Sequence, residues 1–180
     1  FENSKNHKHK MTMGKKGKRN VSPPQPFNTS KLIQQCGSNI GIGSGHVMKL
    51  CQDLYQGGYI TYMRTESKTY SREFLSKSKD YISNTYGSEY YSKDTSNIEN
   101  VKKNDPHEAI RVTNINCSKL DIQHKDSKIH SVYYTIWKNT VESCMCEYSY
   151  EYQDYYINSP IKTHKYIHTN EVFIFLGWKV

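Results

Sequence analysis

The sequence predicts an α+β chain, in which a helical winged-helix part is followed by a longer helix and antiparallel strands. Three observations predict it. Two short runs with apolar residues at helical spacing, joined by a glycine-rich turn and followed by a strand-like run, occupy residues 27–65 and match a helix-turn-helix with a wing, a geometry common in DNA-binding modules. Apolar residues at Ile129, Val132, Tyr133 and Ile136, continued by Thr140 and Cys144, line one side of a helix of four or five turns. The run "CEYSYEYQDYYI" alternates, with Cys146, Tyr148, Tyr150 and Tyr152 on one face, as a half-buried strand does.

Residues 1–26 read as a flexible basic arm. Charge, glycine and proline are mixed there without an apolar period, and seven Lys or Arg stand against Glu2 alone, six of the net charge of +8. Such an arm either grips phosphates through counterion release or is a solvated linker. The domain from 27 to 116 opens with "FNTSKLIQQCG", a short helix behind Thr29 and Ser30 that Gly37 stops. "GIGSGH" is a loop with Ser44 as N-cap. It is no phosphate cradle, since GxxxxGK followed by Ser or Thr is absent. Val47, Leu50, Cys51 and Leu54 mark the next helix, which Gly57 and Gly58 end, and "YITYMRT" is the strand that follows. A further helix after Ser71 carries Phe74, Leu75, Ser78, Tyr81 and Ile82 on one face. The polar stretch 83–105 is a long surface loop. Residues 117–180 hold the long helix and two strands, the second within "EVFIFLGWKV".

Composition sets the limits. Hydrophobic residues make up 35% of 180, mean hydropathy is −0.86 and 16 residues are tyrosine, so the core is modest and rich in aromatics. No apolar run approaches the roughly 18 residues of a membrane helix, and the basic start lacks the apolar block of a signal peptide. The expectation is therefore a protein that is neither membrane-bound nor secreted. The chain opens on Phe1 rather than Met, as a piece of something longer would. Its five cysteines form no CxxC pair and read as reduced thiols; Cys144 and Cys146 lack a second pair or a nearby His for a metal.

Four stretches carry a more specific signal: "PPQPFNTSKLIQQ", "GHVMKLCQDLYQGGYITYMRTES", "DPHEAIRVT" and "VYYTIWKNTVESCM", with the closing "FLGWKV". Their order and spacing resemble type IA DNA topoisomerases, most of all the bacterial type I branch, over nearly everything from Pro23 to Val180. The resemblance implies a CAP-like winged-helix domain bearing the active-site tyrosine, joined to part of a β-rich arch. Tyr62 then matches the nucleophile, Arg64 the arginine beside the scissile phosphate and His107 the histidine that leads HEAIR. Thr29, Ser30, Gln34, Arg111 and Thr113 lie in matching motifs as candidate phosphate contacts.

The chemistry asks for these residue types independently. A phenol with a pKa of about 10 is a weak nucleophile at neutral pH and needs a neighbouring cation or base. Two residues along a strand place Arg64 on the same face as Tyr62, where its fork can hold two phosphate oxygens. His107 would donate to the phosphate or orient an acidic partner. Read without the motif, it is an ordinary loop histidine.

Glu66 stands where the family has aspartate, Val112 where it has proline, and Asp105-Pro106 where it has Glu-Ala. The DxDxxGE-type acidic cluster that the resemblance places upstream is absent from these 180 residues. Mg²⁺ is therefore expected in the full enzyme, bound by an upstream acidic domain, and the chain alone is expected to be inactive. Single-stranded and underwound duplex DNA are the expected partners. The expected location is the cytoplasm, or wherever the DNA lies: nucleoid, nucleus or viral factory. The alternatives are a non-catalytic winged-helix DNA-binding module and, less well supported, a basic-tailed RNA-binding protein.

Overall fold

The computed structural model describes residues 2–100 and 107–180. Its elements run α1 (Glu2–Lys5), β1 (Met11–Val21), α2 (Thr29–Ile40), α3 (Ser44–Gln56), α4 (Arg72–Thr85), α5 (Lys128–Glu142), β2 (Tyr148–Asn158) and β3 (Lys165–Phe175), with single 3-10 turns at Ser88–Tyr90 and Gly177–Lys179. They form two units: a helical one, Pro23–Cys146, and a smaller β unit made from residues 1–22 and 147–180. The boundary expected at 116/117 is therefore misplaced. α5 belongs with the helices because its apolar side packs on α2 and α3.

α5 is the centre of the helical unit. Ile129, Val132, Tyr133 and Ile136 are buried, as their spacing predicts, and so are Asn139, Thr140 and Val141 on its last turn. The polar groups that go in with them are paired, as buried polar groups usually are, apart from Asn139 Oδ1, which is buried with no hydrogen-bond partner. Tyr133 Oη donates to the Cys117 carbonyl at 2.6 Å, Trp137 Nε1 to Ile115 at 2.8 Å, and Thr140 Oγ1 to Ile136 at 2.8 Å. Asn139 Nδ2 reaches the Gln25 carbonyl at 3.1 Å. Against α5 lie Leu32 and Cys36 of α2 and Val47, Leu50, Cys51 and Leu54 of α3, all buried. Burial pushes the Cys36 and Cys144 thiols up to about 11, so these cysteines act as small apolar fillers.

α2 differs from its predicted extent at both ends. Its N-cap is Asn28, whose side-chain oxygen accepts the Lys31 N–H at 3.0 Å, a bond that contributes about 1 kcal/mol. The helix runs through Gly37 to Gly41, which takes the left-handed conformation (φ 70°) and donates its N–H to the Gly37 carbonyl. Gly37 is tolerated mid-helix at a cost of about 1 kcal/mol; the turn that needs a glycine comes four residues later. Likewise Gly43 is the N-cap of α3 and Ser44 its first residue. α3 ends at Gly57 and Gly58 (φ 75°), and α4 begins behind its Ser71 cap, both as predicted. In the stretch expected to be a loop, Ile98 is buried, Tyr70 N–H donates to the Ile98 carbonyl at 2.7 Å and Asn100 N–H to the Tyr70 carbonyl at 2.9 Å; its last residues, 101–105, lie outside those described.

The β unit is a three-stranded antiparallel sheet in the order β1-β2-β3. This corrects the reading of residues 1–26 as a flexible arm, because Met11–Val21 pairs with β2 from Tyr148 to Ile157. The strand shows no apolar period because nearly all its residues are exposed. Its glycines, which mimic a linker, are close-contact points instead. A Cβ at Gly17 would stand 3.0 Å from the Tyr152 ring, and one at Gly14 would stand 2.5 Å from the Tyr156 ring. β3 starts six residues before the predicted Glu171, and after Phe175 the chain turns at Gly177.

Gly177 should tolerate no side chain. Its φ is +47°, and a Cβ there would lie 2.3 Å from the Glu147 carbonyl oxygen. Gly177→Ala is expected to destabilise the β unit by about 2 kcal/mol. Calorimetry should show this as a melting temperature lower by roughly 4–8 °C, with amide exchange accelerated in β2 and β3 and unchanged in α5.

Candidate active site

The segment that follows Gly58 is irregular, with bends at Tyr59, Thr61, Met63 and Arg64, and from Tyr62 to Glu66 exposure alternates: Tyr62, Arg64 and Glu66 face solvent while Met63 and Thr65 are buried. Tyr62 and Arg64 are both exposed, with buried Met63 between them. Tyr62 is 44% exposed, and its ring meets Tyr55, in the last turn of α3, edge-on at 5.3 Å. Such an edge-to-face contact fixes the ring without covering its hydroxyl.

Two structures hold the segment. On one side is the first turn of α2. Thr29 N–H donates to the Thr65 carbonyl at 3.0 Å, Thr29 Oγ1 donates to the carbonyls of Met63 at 2.8 Å and Thr65 at 3.1 Å, and the same oxygen accepts the Thr65 N–H at 2.9 Å. Arg64 is thus bracketed by tied residues. Asn28 adds a bond from Nδ2 to Glu66 Oε2 at 3.0 Å while its oxygen caps α2.

On the other side is the HEAIRVT stretch. Ile60 bridges Val112, Thr61 N–H donates to the Arg111 carbonyl at 2.9 Å, and Thr113 N–H donates to the Tyr59 carbonyl at 3.0 Å. Thr61 Oγ1 donates to Ala109 at 2.8 Å and accepts the Arg111 N–H at 3.0 Å. Phe27 bridges Ile110 in turn. The predicted continuous strand is absent because its hydrogen bonds go first to 109–113 and then to α2, leaving single bridges.

The predicted site residues separate into two groups. Tyr62, Arg64, His107, Ser30 and Gln34 are exposed; Ser30 and Gln34 lie on the first turns of α2, where Gln34 Oε1 accepts from Lys31 at 3.3 Å. His107 lies two residues before Ala109, whose carbonyl accepts from Thr61 Oγ1. Thr29, Arg111 and Thr113, the last also exposed, are engaged within the fold. Thr113 Oγ1 donates to Gly58 at 2.8 Å. Arg111 lies over the Phe74 ring at 4.1 Å, and its Nε donates to Glu108 Oε2 at 2.8 Å in a half-buried ion pair. Glu108 Oε1 accepts the Ser71 N–H at 2.8 Å, so one carboxylate ties the start of α4 to Arg111.

Asn28, Thr61 and Glu108 are missed by the sequence reading. Asn28 could have been found as the cap ahead of the apolar run, and Glu108 from the arginine three residues on. Nothing in the sequence marks Thr61. Of the departures from the family pattern, Val112 is buried and donates its N–H to Thr140 Oγ1 at 3.4 Å, a bond proline could not make. Asp105-Pro106 lies outside the described residues. Among the described residues no three His, Cys, Asp or Glu side chains converge to hold a metal.

This geometry has close relatives. The family profile described as DNA topoisomerase matches residues 1–180. DNA topoisomerase 1 of Buchnera aphidicola is 33% identical over 159 residues, 88% of this chain and 18% of that protein. The prokaryotic-type DNA topoisomerase 1 of Acanthamoeba polyphaga mimivirus is 38% identical over 124 residues, 69% of this chain and 14% of that protein. Full-length topoisomerase I of Thermotoga maritima superposes with a TM-score of 0.75 at 26% identity, over 97% of this chain and 29% of that one. The chain thus spans less than a third of the length of the proteins it matches. With the profile matched from end to end and the tyrosine segment set in the same fold, the chain belongs to the DNA topoisomerases, in the type IA family.

Proposed function

We propose that the protein to which this chain contributes cleaves and rejoins one strand of DNA through Tyr62, passing another strand to relax supercoils. The observation that carries the reading is the exposed Tyr62–Arg64 pair on a segment tied down on both sides. Tyr62 Oη attacks the phosphorus, a Tyr–O–P bond forms and the P–O3′ bond breaks, with the phenol proton leaving and the 3′-oxygen taking one up. The reverse attack by the 3′-hydroxyl reseals the strand. One phosphoester is exchanged for another, so no ATP is needed. Arg64 would hold two non-bridging oxygens and offset the charge that grows in the transition state. His107 would donate to the same phosphate. Ser30 and Gln34, on the exposed start of α2, would take flanking phosphates. Thr29, Thr113 and Arg111 hold the segment rather than the strand.

The described residues offer no three-ligand cluster for the Mg²⁺ that the family resemblance implies, so the steps assigned to this chain pass through its own side chains. An upstream acidic domain of the same protein would hold that metal and complete the site. The winged-helix description belongs to this reading; α2, the turn at Gly41, α3 and the bridge of Ile60 to Val112 after Gly58 support it. Single-stranded and underwound DNA would be the substrates, and the protein would work wherever that DNA lies. No helix among the described residues is long and apolar enough to cross a membrane.

In the complete protein, Tyr62→Phe is expected to abolish the covalent DNA adduct in a denaturing gel while single-strand affinity stays within about threefold, since one hydroxyl adds little to a many-phosphate contact. An adduct that persists assigns the nucleophile elsewhere; no adduct in the unaltered protein favours a binding module without catalysis. The 180-residue chain alone is expected to leave supercoiled plasmid unrelaxed, with adduct formation restored when the upstream domain is supplied.

Thr29→Val is expected to slow adduct formation by roughly 10- to 100-fold, the effect of letting a reacting group drift by about 1 Å. Affinity for single strands should change little and Thr29→Ser should restore the rate. Equal losses in rate and affinity would make Thr29 a DNA contact instead.

A further inference from the structure

The β unit carries a row of cations held by aromatic rings. Tyr148, Tyr152 and Tyr156 recur at every fourth residue of β2, so they project from one face of the sheet, about 13 Å apart. Each has a cation over its ring: Lys179 at 4.8 Å from the Tyr148 centroid, Arg19 at 4.3 Å from Tyr152 and Lys165 at 4.7 Å from Tyr156. The three cations come from three parts of the chain, β1, β3 and the turn after β3. Gly17 and Gly14 admit two of the rings, because a Cβ on either would meet Tyr152 or Tyr156 at 3.0 Å or less.

These cations are exposed, and among the described residues none of them joins an ion pair. Asp154 and Glu171 share the face, and Asp154 is occupied by Thr169 Oγ1 at 2.7 Å. The unit as a whole has ten Lys or Arg against five Asp or Glu, whereas the helical unit has fifteen against twelve. An unpaired surface lysine ordinarily samples many rotamers. Here rings fix the direction of each positive charge, which removes part of the ordering cost of binding an anion. Cations held over rings that recur at this interval suit alternate phosphates of an extended strand.

We propose that this face of the sheet binds the backbone of single-stranded DNA, with Arg19, Lys165 and Lys179 each taking a phosphate. The choice of DNA rests on the function proposed above; the phosphate chemistry stands without it. If the ring contacts served only to stabilise the sheet, removing the cations would lower the melting temperature and leave binding intact.

The test is fluorescence anisotropy of labelled oligo(dT) with the 180-residue chain between 50 and 200 mM salt. R19Q/K165Q/K179Q is expected to bind at least tenfold more weakly at the lower salt, with a log K against log salt slope shallower by about 2, the share of three single-strand phosphates. K8Q/K16Q/K18Q removes equal charge but no ring-held cation, and should change both by less than half as much. Equal effects of the two triples, or no effect of the first, would overturn the proposal, as would tighter binding of oligo(rU) than of oligo(dT). In the unaltered chain, bound oligo(dT) should protect Lys165 and Lys179 from acetylation and leave Lys16 reactive; unprotected Lys165 and Lys179 overturn it even if the triple variant fails to fold. Tyr62→Phe should change this binding by no more than about threefold, far less than the first triple, so failure of the cleavage chemistry and failure of this surface give different results.

Discussion

One hydroxyl indexes the candidate site to the core. Thr29 Oγ1 both donates to and accepts from the backbone around Arg64, and Thr29 is also the first residue of α2. The position of α2 is set in turn by Leu32 and Cys36, which are buried with no measurable exposure. A shift of the tyrosine segment along its own length would break these bonds together and leave carbonyls without donors, at a cost of about 1–3 kcal/mol for each that is left buried and unpaired. The exposed residues can therefore be precise without being buried themselves.

Charge is divided in the same way. Arg64 and Arg111 are alike in sequence terms, each in a motif next to the site. In the fold Arg111 stacks on Phe74 and is paired with a carboxylate that also caps the start of α4, so its charge is spent on structure. Arg64 faces solvent, two residues after Tyr62. Exchanging Glu108 for a neutral residue would leave a half-buried guanidinium without its partner, which is costlier than losing an exposed pair.

What could be read from the sequence follows from what writes itself into spacing. α3 and α5 are legible because their buried residues repeat at helical intervals and glycines or caps mark their ends. β1 is illegible because its partners are tyrosines more than a hundred residues away, and its glycines serve close approach rather than flexibility. The end of α2 is illegible because one glycine, Gly37, sits inside the helix and another, Gly41, performs the turn. At the site, the motifs single out Tyr62, Arg64 and His107, whose side chains are exposed. They do not distinguish a hydroxyl that meets a ligand from one that meets backbone, which is why Thr29 and Thr113 look like contacts and Thr61 like nothing at all.

The helical unit is inserted between two paired strands. Ser22 and Glu147, 125 residues apart, meet through a hydrogen bond of 2.8 Å where the chain leaves and re-enters the sheet. During synthesis β1 emerges long before its partner. At five to twenty residues per second it waits roughly 6 to 25 s for β2. The helices have that interval to close their own core, and the sheet is the last part to assemble. Until then β1 is a bare strand whose lysines and arginine, by repelling other copies of itself, guard the nascent chain against premature pairing.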